Sequence, residues 1–477
     1  MVHIRFSLFL TVLLTLLFSH TVRAQADLRT HLSPRAITAN SLKASMTENE
    51  IQVSTWTYGT VDVACLVCNG YLPSGYGNNA GALYLSVVDQ YPAQNGSVIN
   101  APKDMKLKAN DAVVIIGKTP PPMAYFSYTG FVFDRYNADD PNNRLVIFSS
   151  LGDTINQYRV HAADPRNPFN QDIVIILTAD QKTDATIRYA LVEMGIDPSI
   201  INTYIIPSSV AKMGKTEEAD TFVFLQRVFL PENKAEFDSY LNTASQWAQV
   251  FYLSFPDQSS LRPFLMPEMK IRGTGKTEVD MMPALDRLES TILANHPGYQ
   301  AKKLETGIWL NEWLDGFQRG VNLLGECRDT TYLRTPDFSL DSDSFLMVFG
   351  VNHEATGKAT YSNFSVYQAE MELGIAGKNS REFADSADGY DLGQYNSLTR
   401  YLYAYKIARN CNNETNCLPV NTVPTTASCP FSNGCPFVDL KGDLFLGFRA
   451  YVEPETGVGP YWYEILWDRA ILFTPKQ

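Results

Sequence analysis

The most concentrated acid–base chemistry lies in the segment Gly350-Val351-Asn352-His353-Glu354-Ala355-Thr356-Gly357-Lys358. The run before it, Phe345 to Val351, is apolar on both faces, the pattern of a fully buried strand. The end of such a strand delivers Asn352, His353 and Glu354 together from a rigid element, a placement suited to proton transfer. Beyond residue 24 the histidines are His31, His161, His296 and His353, and His353 alone has this context. Histidine also titrates near neutral pH. We read His353 as the candidate general acid or base, with Glu354 beside it and Asn352 as a binding group.

A second polar cluster is Glu326-Cys327-Arg328-Asp329-Thr330-Thr331-Tyr332. Arg328 can hold a carboxylate through two hydrogen bonds. Asp329 can orient an imidazole, and Tyr332 is a further candidate for substrate binding. The plainer alternative makes Arg328 and Asp329 a structural ion pair and His353 a hydrogen-bonded turn residue, because polar clusters also occur in structural networks. A third feature is aromatic. Tyr401, Tyr403 and Tyr405 alternate along one strand face, and Tyr461, Trp462, Tyr463 and Trp467 cluster near Glu464, Asp468 and Arg469. Aromatic faces beside carboxylates suit sugar binding, and a carboxylate pair is what glycoside hydrolysis uses. The competing reading is a packed core with tyrosine hydroxyls at its rim.

Several motifs fail on inspection. Gly273-Thr274-Gly275-Lys276-Thr277 resembles the end of a phosphate-binding loop, but Lys270 stands where the first glycine is needed. His353-Glu354 opens like a zinc-protease helix, but Gly357 occupies the position of the second histidine. No G-x-S-x-G nucleophile elbow occurs. Asp385, Asp388 and Asp391 do not follow the order of an EF-hand loop and read as a solvated acidic loop. No metal and no cofactor is implied.

Cysteine usage sets the compartment. Cys411 and Cys417, and Cys429 and Cys435, each enclose five residues, too wide for usual zinc spacing and consistent with a disulfide framework of unspecified connectivity. Cys65 and Cys68 form a C-x-x-C followed by Asn69-Gly70-Tyr71-Leu72-Pro73, which reads as loop chemistry and a structural disulfide, within the pair or to other partners. Cys327, the most isolated of the seven, is expected to be the unpaired one. Asn95, Asn363 and Asn413 begin glycosylation sequons, which predict surface positions if the host glycosylates its exports.

The N-terminus supports export. Arg5, an apolar run from Phe6 to Phe18 and Val22-Arg23-Ala24 have the layout of a cleaved secretory signal over residues 1–24. The run is shorter than the roughly 20 residues of a membrane span, and Phe473 to Gln477 is no hydrophobic anchor tail. Without Arg5 and Arg23 the chain carries 37 basic against 51 acidic residues, a net charge of −14. That balance disfavours nucleic acid as a partner.

The elements that must position these residues suggest an α+β, β-rich fold. Residues 25–50 are polar and expected to be poorly ordered. Residues 51–165 read as a β-rich region. Residues 172–256 run strand, helix, strand, strand, helix, strand, the order of a ferredoxin-like βαββαβ unit. Residues 257–335 read as a mainly helical connector. Residues 336–477 read as a β-sandwich or jelly-roll-like domain carrying the disulfide loops. The two β-rich ends are expected to share one core. The functional expectation is a secreted (or periplasmic) enzyme, a hydrolase or lyase acting through His353 on a small organic or glycosidic substrate. The alternative is a non-catalytic binding module for carbohydrate or protein.

Overall fold

The computed structural model describes residues 37–46, 50–80, 82–93, 96–256, 260–310, 312–426, 429, 435 and 438–476. The signal segment and Asn95 lie outside them. One long strand, Gln52–Val61, organises the first half by serving two stretches of sheet in succession. Gln52 to Trp56 pair antiparallel with Gln249–Ser254, and Thr57 to Val61 pair with Tyr84–Pro92. On one side the sheet continues through Ala112–Lys118, Asp172–Thr178 and Ile201–Ile205. On the other it continues through Thr221–Pro231, Met123–Arg135 and Leu145–Ser150.

The expected βαββαβ order is present along the chain, but its strands do not form a ferredoxin-like sheet. Asp172–Thr178 and Ile201–Ile205 are parallel neighbours joined by the helix Gln181–Glu193, as parallel pairing requires a crossover. Thr221–Pro231 lies elsewhere, between Tyr84–Pro92 and Met123–Arg135. The order of elements is local, whereas their pairing was decided by strands outside the segment. The crossover helix starts at Asp180, whose carboxylate accepts the Thr183 amide at 2.9 Å, and buries Ile187, Ala190 and Leu191. The second helix, Lys234–Asn242, is capped by Asn233 and not opened by Pro231, which ends the preceding strand.

Part of the polar N-terminal segment is ordered. Ala39–Ala44 form a helix capped by Thr38, and Ile37, Leu42 and Met46 pack against Ile187, Leu191 and Phe251. Three apolar side chains at i, i+5 and i+9 were enough to seat an otherwise polar segment.

In the second half, one five-stranded sheet runs Gly307–Ile308, Thr330–Arg334, Leu444–Tyr451, Tyr361–Gln368, Leu373–Asn379. Another runs Tyr299–Leu304, Arg469–Pro475, Phe345–Val351, Leu402–Ala408, Cys417–Pro419. They share a core in which Leu346, Val348 and Ile407 meet Phe364, Leu446 and Phe448. The alternate residues Phe345, Met347 and Phe349 face the helix Met282–Asn295 through Leu285, Leu288 and Ile292. The strand Phe345–Val351 is therefore buried on both faces, as its sequence predicts. The connector is less helical than expected: Tyr299–Leu304 is a strand, and Leu314–Arg319 is a single short helix.

The two halves are joined by packing and by sulfur. Val61, Leu66, Tyr84 and Tyr125 from the first half share a cluster with Tyr361, Cys429 and Tyr451 from the second. Cys65 pairs with Cys429, Cys68 with Cys435, and Cys411 with Cys417, while Cys327 is free and buried. The C-x-x-C lies not in a loop but on the short helix Val63–Cys68, capped by Asp62. The i, i+3 spacing on a helix turns both sulfurs to one side, where both bonds across the halves form. Among the described residues no helix is long and apolar enough to cross a membrane.

Candidate functional site

The buried strand does carry His353 to a polar cluster, but a closed one. The imidazole is 3% exposed. Its Nδ1 lies 2.9 and 3.0 Å from the two carboxylate oxygens of Glu278. Glu278 also accepts the Thr356 hydroxyl at 2.6 Å and the Leu466 amide at 2.8 Å. On the far side, His353 Nε2 stands 4.0 Å from Asp468, which accepts the Tyr403 hydroxyl at 2.6 Å. Burial opposes a charge on His353, yet the Glu278 carboxylate outweighs it and raises the imidazole above its ordinary value. Burial likewise opposes ionisation of Glu278, and His353 with the other donors nets a lowered value. Asp468 is pushed up to about 6, chiefly by burial.

The loop that covers His353 contains the discarded phosphate-loop resemblance. The amides of Thr274 and Gly275 donate to the Glu464 carboxylate at 3.0 and 2.6 Å, and Lys358 Nζ bridges Glu464 at 2.7 Å and Glu453. Backbone amides that cradle an anion elsewhere here cradle one of the protein's own carboxylates. Glu354 turns away to Arg381 at 3.1 Å and to Ser380. Asn352 caps the turn through the Glu354 and Ala355 amides and reaches the Ser380 carbonyl at 2.9 Å. This arrangement holds a chain reversal in place and leaves the imidazole buried.

Arg328 and Asp329 do not join His353. Arg328 binds Asp153 at 2.7 Å, the Lys270 carbonyl at 2.8 Å and Glu312. Asp329, fully buried, accepts Tyr125 at 2.6 Å, Thr154 at 2.8 Å, the Cys327 thiol at 2.6 Å and Thr330 at 3.3 Å. It fastens the two halves and orients no imidazole. Burial, aided by Asp329 and opposed by Arg227, pushes the Cys327 thiol up to about 12, so it is protonated at neutral pH.

Beside it, burial pushes the Glu326 carboxyl up to about 8, with Glu312 adding and Arg272 opposing; Ser150 donates to it at 3.0 Å. A carboxyl with a raised folded value holds its proton longer in the folded state, so stability falls as pH rises through that window. Between pH 7 and 9 the wild type should lose about 1.4 kcal/mol from this group alone. The Glu326→Gln variant should lack that loss, as denaturant titrations at the two pH values will show; equal slopes would refute the assignment.

One concavity lies between the halves. A cavity of about 340 Å³ is walled by Tyr84, Val223 and Leu225 from the first half and by Tyr332, Arg449 and Tyr451 from the second. Arg227 lines it as well, and the exposed Tyr71 and Tyr91, 5.2 Å apart between ring centroids, mark its rim. Of the sequence-derived candidates, Tyr332 alone lines this space. The two arginines were missed, though each left a trace: it is the one charged residue of a largely apolar strand, Thr221–Pro231 and Leu444–Tyr451.

The aromatic candidates divide. Tyr403 and Tyr405 are buried in the shared core, so their strand face is no binding platform. Tyr461 to Trp467 precede the strand Arg469–Pro475 instead of lying on it, and Tyr463 is 74% exposed. Asn363 is also misplaced for a surface sequon: it is buried and donates to Asn79 and Ser365 at 2.9 Å each. Asn413 is exposed, within the loop closed by Cys411 and Cys417.

No protein-family model matches this chain, and no curated protein matches it. A solved structure aligned to it is the N-terminal CBM22-1–CBM22-2 tandem domain of Xyn10C from Paenibacillus barcinonensis, at 10% identity over 90% of this chain and 95% of that chain. Its TM-score of 0.13 carries no argument about fold or function.

Proposed function

We propose that this chain is an exported, non-catalytic binding protein whose ligand is a small organic molecule held in the cavity between its halves. The observation that carries the reading is the cavity itself, walled by tyrosine, valine and leucine from paired strands of both halves. Its size and largely apolar lining match those of small-molecule sites. The signal-like N-terminus and three disulfides support export, since disulfides persist in oxidising compartments. In this reading the two five-stranded sheets act as a sandwich-like scaffold. They hold Tyr332 and Tyr451 on adjacent strands, in register through Thr330 opposite Tyr451.

A neutral reporter tests the reading without assuming a ligand charge. N-phenyl-1-naphthylamine should bind the wild type saturably at one site, with a rise in its fluorescence. The Val63→Trp variant, at the half-buried edge of the cavity, should bind it at least ten times more weakly with an unchanged near-ultraviolet dichroism spectrum. No saturable binding to the wild type, or equal binding to a folded variant, would overturn the proposal.

A further inference from the structure

Buried guanidinium groups ordinarily face carboxylates, because removing a full positive charge from water is costly unless an opposite charge replaces the lost solvent. Most buried or half-buried arginines here obey this rule: Arg328 faces Asp153 and Glu312, and Arg135 faces Asp220. Arg227 and Arg449 do not. They are 7% and 5% exposed, and among the described residues neither has a carboxylate within ion-pair distance.

Their existing partners are neutral. Arg227 donates to the Gly325 carbonyl and lies 5.5 Å from the Phe131 ring centroid. Its Nη1 is buried with no hydrogen-bond partner among the described residues. Arg449 donates to the Gly77 carbonyl and the Tyr367 hydroxyl, with the Trp309 ring centroid 5.2 Å away. Both anchoring carbonyls belong to glycines with positive φ, +70° at Gly325 and +63° at Gly77. A side chain at Gly325 would also meet Phe148 at 2.9 Å. The backbone is bent to hold each guanidinium in place while leaving its charge uncompensated.

Tyr332 stands beside Arg449, and its hydroxyl accepts the Cys327 amide at 3.1 Å. Its ring is 5.5 Å from the Arg449 guanidinium, and both arginine charges act on its hydroxyl, offsetting part of the rise that burial imposes. The Tyr451 hydroxyl makes no hydrogen bond among the described residues and feels Arg449 in the same way. All four side chains line the cavity, together with apolar walls and one carboxyl, Asp104.

We propose that the cavity takes an organic oxyanion with an apolar body, its head group held by Arg227 and Arg449 with the Tyr332 and Tyr451 hydroxyls. The inference rests on the cavity being the binding site and adds the ligand's charge class. A carboxylate-type head supplies the counter-charge the protein withholds, and planar guanidinium groups match its geometry. The body occupies the space along Val223 and Leu225. In a chain of net charge −12, the site is a local reversal of sign.

The test is displacement of N-phenyl-1-naphthylamine from the full chain by decanoate, decan-1-ol and decylammonium, which share one body and differ in head charge. Decanoate should compete at least tenfold better than the alcohol, and decylammonium worst. Arg227→Met and Arg449→Met should each erase most of the decanoate advantage and leave the alcohol unchanged. Equal competition by acid and alcohol, or a preference for the amine, overturns the charge assignment while leaving the cavity reading intact. If either variant fails to fold, the wild-type series decides alone. If the neutral reporter does not bind the wild type, the cavity reading fails and this inference with it.

Discussion

Replacing Cys65 and Cys68 together should destabilise the protein far more than the sum of the two single replacements. Cys65–Cys429 and Cys68–Cys435 span 364 and 367 residues and cross each other in sequence, with their neighbouring ends only three and six positions apart. With either bond intact, the other closes a loop of about ten residues, worth roughly 2–3 kcal/mol on the chain-entropy account. Without either, the remaining chain loses a closure of more than three hundred residues, and the same account gives roughly 8 kcal/mol for the pair. Serine replacements measured singly and together by denaturant unfolding will check this. Two single losses that add up to the double loss would show that each bond acts locally and that the long closure contributes nothing.

The second large effect lies at His353. Removing one partner from a buried, hydrogen-bonded ion pair leaves the other unpaired and costs about 3–5 kcal/mol. His353→Ala and Glu278→Gln should each fall in that range, and the double variant should cost less than the two together. The pH dependence has a definite sign. The folded imidazole value is raised, so its contribution is complete below about 6.5, the unfolded value, and is lost as pH rises through the folded one. The Glu278 value is lowered, so its contribution is present above about 4.3 and is lost as pH falls through the folded value. The pair should therefore support stability most in mildly acidic solution, and His353→Ala should flatten the alkaline side of that maximum. A His353→Ala protein as stable as wild type from pH 5 to 8 would remove the ion pair from the account.

Why the closed surroundings of His353 could not be read from its sequence is instructive. Its strand was legible because seven consecutive residues, Phe345 to Val351, carry the signal themselves. What closes over the strand's end was not, because Glu278 comes from 75 positions upstream, in a stretch with little regular structure. The six bonded cysteines were legible from number and spacing, but their pairing depended on which segments the fold brings together. Asn363 reads as a sequon and sits inside a strand, since a three-residue pattern contains no statement about burial. Arg227 and Arg449 were legible in principle: a lone charge in an apolar strand demands an explanation that periodicity alone does not supply.

The two crossing bonds have one more consequence. Residues 68 to 429 lie within the covalent ring that each of the two bonds closes. A single cut in its backbone, for instance in the loop 207–219 between two strands, leaves two fragments that still migrate as one species until a reductant is added. A protein built this way keeps its halves, and the cavity between them, together after a first proteolytic nick, and a second cut on the same ring is needed before any piece can leave.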